Sequence, residues 1–441
     1  FDLLLGAGAA TDGVNCLLLG ISSAHADLVT TGSAETEDWV AQRMTNGEVV
    51  VAYKDDAFID PDTGRPRAPR ILRVRDVEAT IRRLRARPDV RYAVPNVVAR
   101  ASAEPFIPND PGRGTTPGGW TELQWNFIGP NSVNAPQAWG NLIAAGRPGG
   151  RGVKVAVLDT GVAYRRFGRI PRSPDLAQTR FVAGYDFVQH DPYANDPNGH
   201  GTHVASTIAE STNNGRALTG LAYGVSIMPV RVLDRRGDGD ATVIARGVRF
   251  AVDRGAKVIN LSLEFSADVT ARDVPQLMDA INYAYRKGVV VVAAAGNEAV
   301  RTVAYPARSS RVISVGSITE HGCLSDFSNQ GRGLDVVAPG GGEDSYLNDP
   351  NCKPDDTPGR NIFQLTLTGP DRTRFGIPST FQGTSMAVPH VSATAALIIA
   401  SGVLGKNPSP AAVTRRLTRT ARDMGPPGYD TRYGWGLIDA G

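Results

Sequence analysis

The sequence predicts an α/β protein: a doubly wound, mainly parallel sheet with helices on both faces, preceded by a small α+β domain. Three observations carry this expectation. Five short apolar runs rich in β-branched residues recur at 153–158 (VKVAVL), 227–233, 257–263, 289–295 and 312–318. Helical patterns such as 242–254 and 274–287 lie between them. Near-continuous apolar strands that alternate with helices belong to a parallel sheet covered on both sides. Upstream, a stretch rich in Pro, Gly and small polar residues, 101–119, separates a first part of different character.

The 441 residues suffice for one large α/β domain and a small one, or for two to three average domains. A hydrophobic content of 41% with 49 Gly and 30 Pro describes a globular chain with many turns. The net charge of +3 selects no partner. The densest arginine run, 65–100, is interleaved with carboxylates and apolar residues, so it reads as a solvated face or a docking surface, and no nucleic-acid partner is expected. No run reaches the about 18 apolar residues of a membrane span, and no membrane partner is expected. Of the three cysteines, Cys323 and Cys352 are able to pair in an oxidising compartment, although sequence alone does not fix pairing.

In chain order, residues 1–45 show no sustained periodicity. Segment 16–26, CLLLGISSAHA, ends in the small-residue pattern of a signal cleavage site, so this extension reads either as a signal remnant or as an unstructured terminus. Residues 46–100 form the small domain: a strand at 48–53, a helix at 77–87 with Ile81 and Leu84 on one side, and a strand at 90–98. A unit of about 55 residues is near the lower limit of independent stability and needs support. Residues 101–124 read as a linker or processing segment, and 125–441 as the large domain.

Within the large domain the stretch 381–402, FQGTSMAVPHVSATAALIIASG, is apolar on nearly every face after Ser385 and reads as a buried helix. Ser385 then lies at the helix start, where unpaired N–H groups and the positive end of the dipole converge. Pro389 falls within about the first turn and Gly402 is a natural stop. On this stretch alone, Ser385 is either a helix cap or a reactive hydroxyl. Ligands of open parallel sheets bind beyond the carboxyl ends of the strands, so the polar residues after each run are informative. The first run ends at Asp159, the fourth leads to Asn297, and NGHGTHVA supplies His200 and His203. A serine hydrolase needs a base for the hydroxyl proton, a carboxylate to orient that base, and a donor for the oxyanion. All are present at element ends, though each alone is also a common cap or turn residue.

LDTGV at Asp159, GHGTHVA at His200, AAAGNE at Asn297 and GTSMAVPH at Ser385, in this order, resemble the four signature blocks of the subtilisin-like serine proteases. Secondary matches extend the resemblance from Trp125 to Leu437. It implies a subtilisin-like fold, a serine endopeptidase of broad specificity, and no cofactor for catalysis. Ser385 would be the nucleophile, His200 the general base and acid, Asp159 the residue orienting His200, and Asn297 with the Ser385 N–H the oxyanion hole. His203 matches a structural histidine.

The resemblance also implies that a protein or peptide substrate binds in extended form between Gly237, Asp238 and Gly239 on one side and Ser262, Leu263 and Glu264 on the other. Ala294 and Gly296 would line the first specificity pocket, with Ala304 near its base. The family usually has glycine where this chain has Glu264. With Asp238 and Asp240, that carboxylate either favours basic substrate residues or faces solvent. The spacing of 185–200 matches a calcium loop of some members, with Asp186, Asp191 and Asn195 as oxygen ligands, a family carboxylate being replaced by Gln189. Turn formation is the other reading of these residues. Residues 46–100 resemble a shortened inhibitor-type propeptide, which acts as an intramolecular inhibitor and is removed by self-cleavage around 100–105. The expectation is therefore a secreted or extracytoplasmic, monomeric precursor. A protease of narrow processing specificity and an inactive binding relative are the alternatives.

Overall fold

The computed structural model describes residues 45–54, 69–97 and 103–441. The signal-like segment with Cys16, the loop 55–68 and residues 98–102 of the expected cleavage region lie outside the described residues. The chain divides into two compact units, Phe1–Ala101 and Ser102–Gly441.

In the first unit, β1 (Thr45–Tyr53) lies between β2 (Arg70–Arg73) and β3 (Val90–Val97), antiparallel to both. Helix α1 (Val77–Arg85) starts where Asp76 accepts the Ala79 N–H at 2.9 Å, a side-chain cap for an otherwise unpaired donor. Ile81 and Leu84 pack on Val49, Val51 and Ala93, while Arg82, Arg83 and Arg85 are exposed. These three arginines of the run lie on the solvated face of this helix.

The second unit is built on a parallel sheet of order β11-β10-β9-β8-β4-β7-β5, with β6 also beside β7. These strands are β4 (Lys154–Asp159), β5 (Arg180–Phe181), β6 (Tyr185–Asp186), β7 (Ser226–Arg231), β8 (Val258–Leu261), β9 (Val290–Ala294), β10 (Ile313–Ile318) and β11 (Val336–Pro339). The five expected runs are five of these strands. Alternate residues of β4 enter different cores, as the two-residue period of a strand requires. Val155 and Val157 face α2 (Ala135–Ala144), α3 (His200–Ala209), α6 (Thr384–Ser401) and α7 (Pro410–Thr420). Ala156 and Leu158 face α4 (Ala241–Asp253) and α5 (Pro275–Arg286). The sheet is doubly wound. The chain leaves β4 for β7 on one side and then crosses to β8 on the other, so the order reverses at the β4/β8 boundary, where a crevice opens at the carboxyl ends.

Helix α6 is buried from Met386 to Leu397. It is the one described helix long and apolar enough to cross a membrane, and here it is the central core helix under the sheet. It ends at Gly402 in the left-handed conformation, φ 71°. Pro389 lacks the N–H that would bond the carbonyl of Ser385 four residues earlier. The Ser262 hydroxyl donates to that carbonyl instead, at 2.8 Å.

Residues 103–124 are not a free linker. Trp120 is fully buried and donates to Pro108 O at 3.0 Å, the Phe106 N–H donates to Pro136 O, and the Gly112 N–H to Ala217 O. A composition rich in Pro and Gly is common to linkers and to tight loops; here two large aromatics, Phe106 and Trp120, anchor the segment to the core. Cys323 and Cys352 form a disulfide.

Candidate active site

The end of β4 delivers Asp159 to the crevice, fully buried. Its Oδ1 accepts from the Thr160 N–H at 2.7 Å and from His200 Nδ1 at 2.8 Å. A carboxylate only accepts, so Nδ1 carries the proton and Nε2 is left as the basic nitrogen. His200 is the first residue of α3, and its side chain is 25% exposed. The approach of α3 to β4 requires Gly201: a Cβ there would overlap the Gly161 carbonyl and lie 2.9 Å from Asp159 Oδ1.

Asp196 fixes the start of this helix. Its Oδ1 accepts from the Asn198 and Gly199 N–H groups and from Thr160 Oγ1, and its Oδ2 from the N–H and hydroxyl of Thr202, all within 2.7–2.9 Å. Sequence reasoning passed over Asp196. The signal was an aspartate just before a glycine-marked helix start, the ordinary capping pattern.

Burial pushes the His200 pKa down, but the charge of Asp159, the bond to it and the charges of Asp196 and Glu264 outweigh this and leave it above the ordinary 6.5. His203 differs in every respect. It is fully buried, stacks on Phe381, donates from Nε2 to Ile362 O at 3.0 Å, and burial pushes its pKa down to about 3. It is a neutral packing residue, as expected.

Ser385 lies in the first turn of α6, where the N–H groups have no intrahelical acceptor. Its Oγ donates to Ser262 O at 3.2 Å, and among the described hydrogen bonds none joins it to His200 in this resting state. Asn260 organises the strand end beneath: its Nδ2 donates to Ser262 Oγ at 3.0 Å and its Oδ1 accepts from Ser392 Oγ at 2.9 Å. Asn297 follows β9. Its Oδ1 accepts from the Thr384 N–H at 2.8 Å and the Thr384 hydroxyl at 3.0 Å, which turns Nδ2 away from α6. That Nδ2 donates to Glu264 Oε1 at 2.7 Å. Gly296, φ 112°, is required before it, because a Cβ would overlap the Asn329 side-chain amide. The structure thus brings Asp159 to His200, and Ser385 and Asn297 to one another through Thr384.

The walls are equally specific. Ser262 and Leu263 are buried and Glu264 half-buried. Gly237, Asp238 and Gly239, expected to form the other wall, are exposed in a turn closed by Asp234, whose N–H donates to Asp238 O at 2.8 Å. Ala294 and Ala304 are fully buried, and a Cβ on Gly296 would lie 3.2 Å from that of Ala304, so these three small residues adjoin. The three acids differ in surroundings. Asp240 caps α4, accepting from the Thr242 and Val243 N–H groups, and Asp238 faces solvent; Glu264 alone turns inward.

In the loop 185–200 the two expected carboxylate ligands are engaged within the protein. Asp186 accepts from the Val188 and Gln189 N–H groups on Oδ1 and from Arg231 Nη1 on Oδ2 at 2.9 Å, and Asp191 accepts from the Tyr193 N–H. Asn195 is buried with an unpartnered amide, but among the described residues no group of three or more His, Cys, Asp or Glu side chains stands ready for a metal. Arg231 is brought to Asp186 by the pairing of β6 with β7.

The Subtilase family model matches residues 150–436. A thermophilic serine proteinase of a Bacillus species is 36% identical over 81% of this chain and 78% of its own length. Thermitase of Thermoactinomyces vulgaris is 39% identical over 68% of this chain and 88% of its own. Among solved structures, one of the proteases from Pseudoalteromonas arctica superposes with a TM-score of 0.59 at 30% identity, covering 76% of this chain and 98% of that one. With the parallel sheet and the crevice residues described above, these similarities identify the chain as a member of the subtilase family, a serine endopeptidase.

Proposed function

We propose that peptide bonds are cleaved through an acyl-enzyme on Ser385. The observation that carries this reading is the Asp159–His200 bond at 2.8 Å, which holds the imidazole with Nε2 free for a proton. Rotation of the Ser385 side chain from Ser262 O toward Nε2 precedes attack. As Oγ bonds the substrate carbonyl carbon, its proton passes to Nε2, and Asp159 stabilises the imidazolium. The oxyanion accepts from the Ser385 N–H and Asn297 Nδ2. The C–N bond then breaks with His200 protonating the amine, and water repeats the sequence in reverse to release the acid.

Substrate binds extended between 237–239 and 262–264, its main chain supplying most of the recognition, so subsites that pair through backbone accept many side chains. Residues 46–100 serve as an intramolecular inhibitor until self-cleavage removes them, and the enzyme works as an exported monomer. The Cys323–Cys352 disulfide supports an oxidising compartment. A fluorophosphonate probe, which reacts with activated serines, is expected to label processed protein at Ser385 and to leave Ser385→Ala unlabelled. Absence of labelling on processed protein favours the inactive binding relative.

A further inference from the structure

The Glu264 carboxylate engages the amide with which Asn297 would hold an oxyanion. Its Oε1 lies 2.7 Å from Asn297 Nδ2, and that amide cannot flip away, because Oδ1 is held by both the N–H and the hydroxyl of Thr384. The neighbours of Glu264 leave its charge without a cation. The charge of His200 acts on it, Glu298 adds a second negative charge while accepting from the Ala267 N–H, and among the described ion pairs no Arg or Lys reaches it. Burial pushes its pKa up, with the Asn297 bond as the main offset.

Two consequences follow for a tetrahedral oxyanion formed at Asn297. It competes with a carboxylate for the same amide, and it develops beside a like charge, which is costly in a half-buried site. A cation on the substrate removes both obstacles.

Resting on the proposed function above, we propose that Glu264 is the specificity-determining residue of the first pocket and selects lysine or arginine at the substrate residue whose carbonyl is attacked. In the free enzyme Glu264 holds Asn297. A basic substrate side chain draws the carboxylate into an ion pair, releases Nδ2 toward the oxyanion and neutralises the adjacent charge. The selection therefore acts on the transition state, so it is read in kcat as well as in KM.

The test compares fluorogenic tetrapeptides that differ only in Lys, Arg, Leu or Ala at that residue, with active enzyme counted by fluorophosphonate titration. Wild type is expected to favour Lys and Arg over Leu by roughly 10²-fold or more in kcat/KM. Glu264→Gly is expected to lose that preference and to raise kcat for Leu, because Asn297 is released. Glu264→Gln, of the same shape, keeps an acceptor for Asn297 but no charge, and is expected to lose the preference without the rise. Equal wild-type rates for Lys and Leu, or an unchanged ratio in titrated Glu264→Gln, overturns the inference. Processed wild type that does not label overturns the catalytic reading and this inference with it.

Discussion

The Ser262 hydroxyl donates to the Ser385 carbonyl at 2.8 Å, supplying the bond that Pro389 withholds from its own helix. Ser385 is thereby tied to the end of β8 by two reciprocal bonds, since its own hydroxyl donates to Ser262 O. Ser262→Ala leaves a part-buried carbonyl without its donor, and is expected to cost about 1–3 kcal/mol in guanidinium unfolding. Adding Pro389→Ala restores a backbone N–H and is expected to recover part of the loss. Additive effects of the two substitutions would contradict the coupling.

The proposed mechanism requires His200 neutral, and its pKa is held above 6.5 by the balance of carboxylate charge over burial. The kcat/KM profile is therefore expected to rise with pH through a midpoint above 6.5. Glu264 is one of the charges that favour the imidazolium, so Glu264→Gln shifts the limb to lower pH. A limb that stays in place or moves upward contradicts the assignment.

Arg231 and Asp186 form an ion pair whose side chains are 6% and 1% exposed. Removing one partner leaves an uncompensated buried charge, so Arg231→Met is expected to destabilise the fold by about 3–5 kcal/mol. Replacing Asp186 as well by asparagine, which removes the charge and keeps the acceptor for the Val188 and Gln189 N–H groups, is expected to recover most of this. A single variant as stable as wild type would contradict the burial argument.

The Cys323–Cys352 bond closes a loop with a sequence separation of 29. Loop-closure entropy for that length amounts to about 3–4 kcal/mol. Cys352→Ser is expected to lower the guanidinium midpoint accordingly, and an unchanged midpoint would show that the unfolded chain gains no freedom from the cut.

Most of the fold was legible because buried parallel strands are short, apolar and β-branched, and their carboxyl ends carry the polar residues. That position singled out Asp159 and Asn297 as candidates, and the motifs around them singled out His200 and Ser385. What escaped depends on pairing between distant segments. The Arg231 partner of Asp186, the Asn260–Ser262–Ser385 chain and the inward turn of Glu264 are properties of neighbouring strand ends, which no local pattern encodes. The packing of 103–124 on the core escaped for the related reason that burial of Phe106 and Trp120 is decided by surfaces elsewhere in the chain.

The most direct measurement follows the intact mass of the full chain beside its Ser385→Ala variant over time after expression. The account predicts that only wild type loses about 100 N-terminal residues, since cleavage near 100–105 would be the enzyme's own work. Equal loss in both proteins, or loss in neither, would contradict self-processing by Ser385.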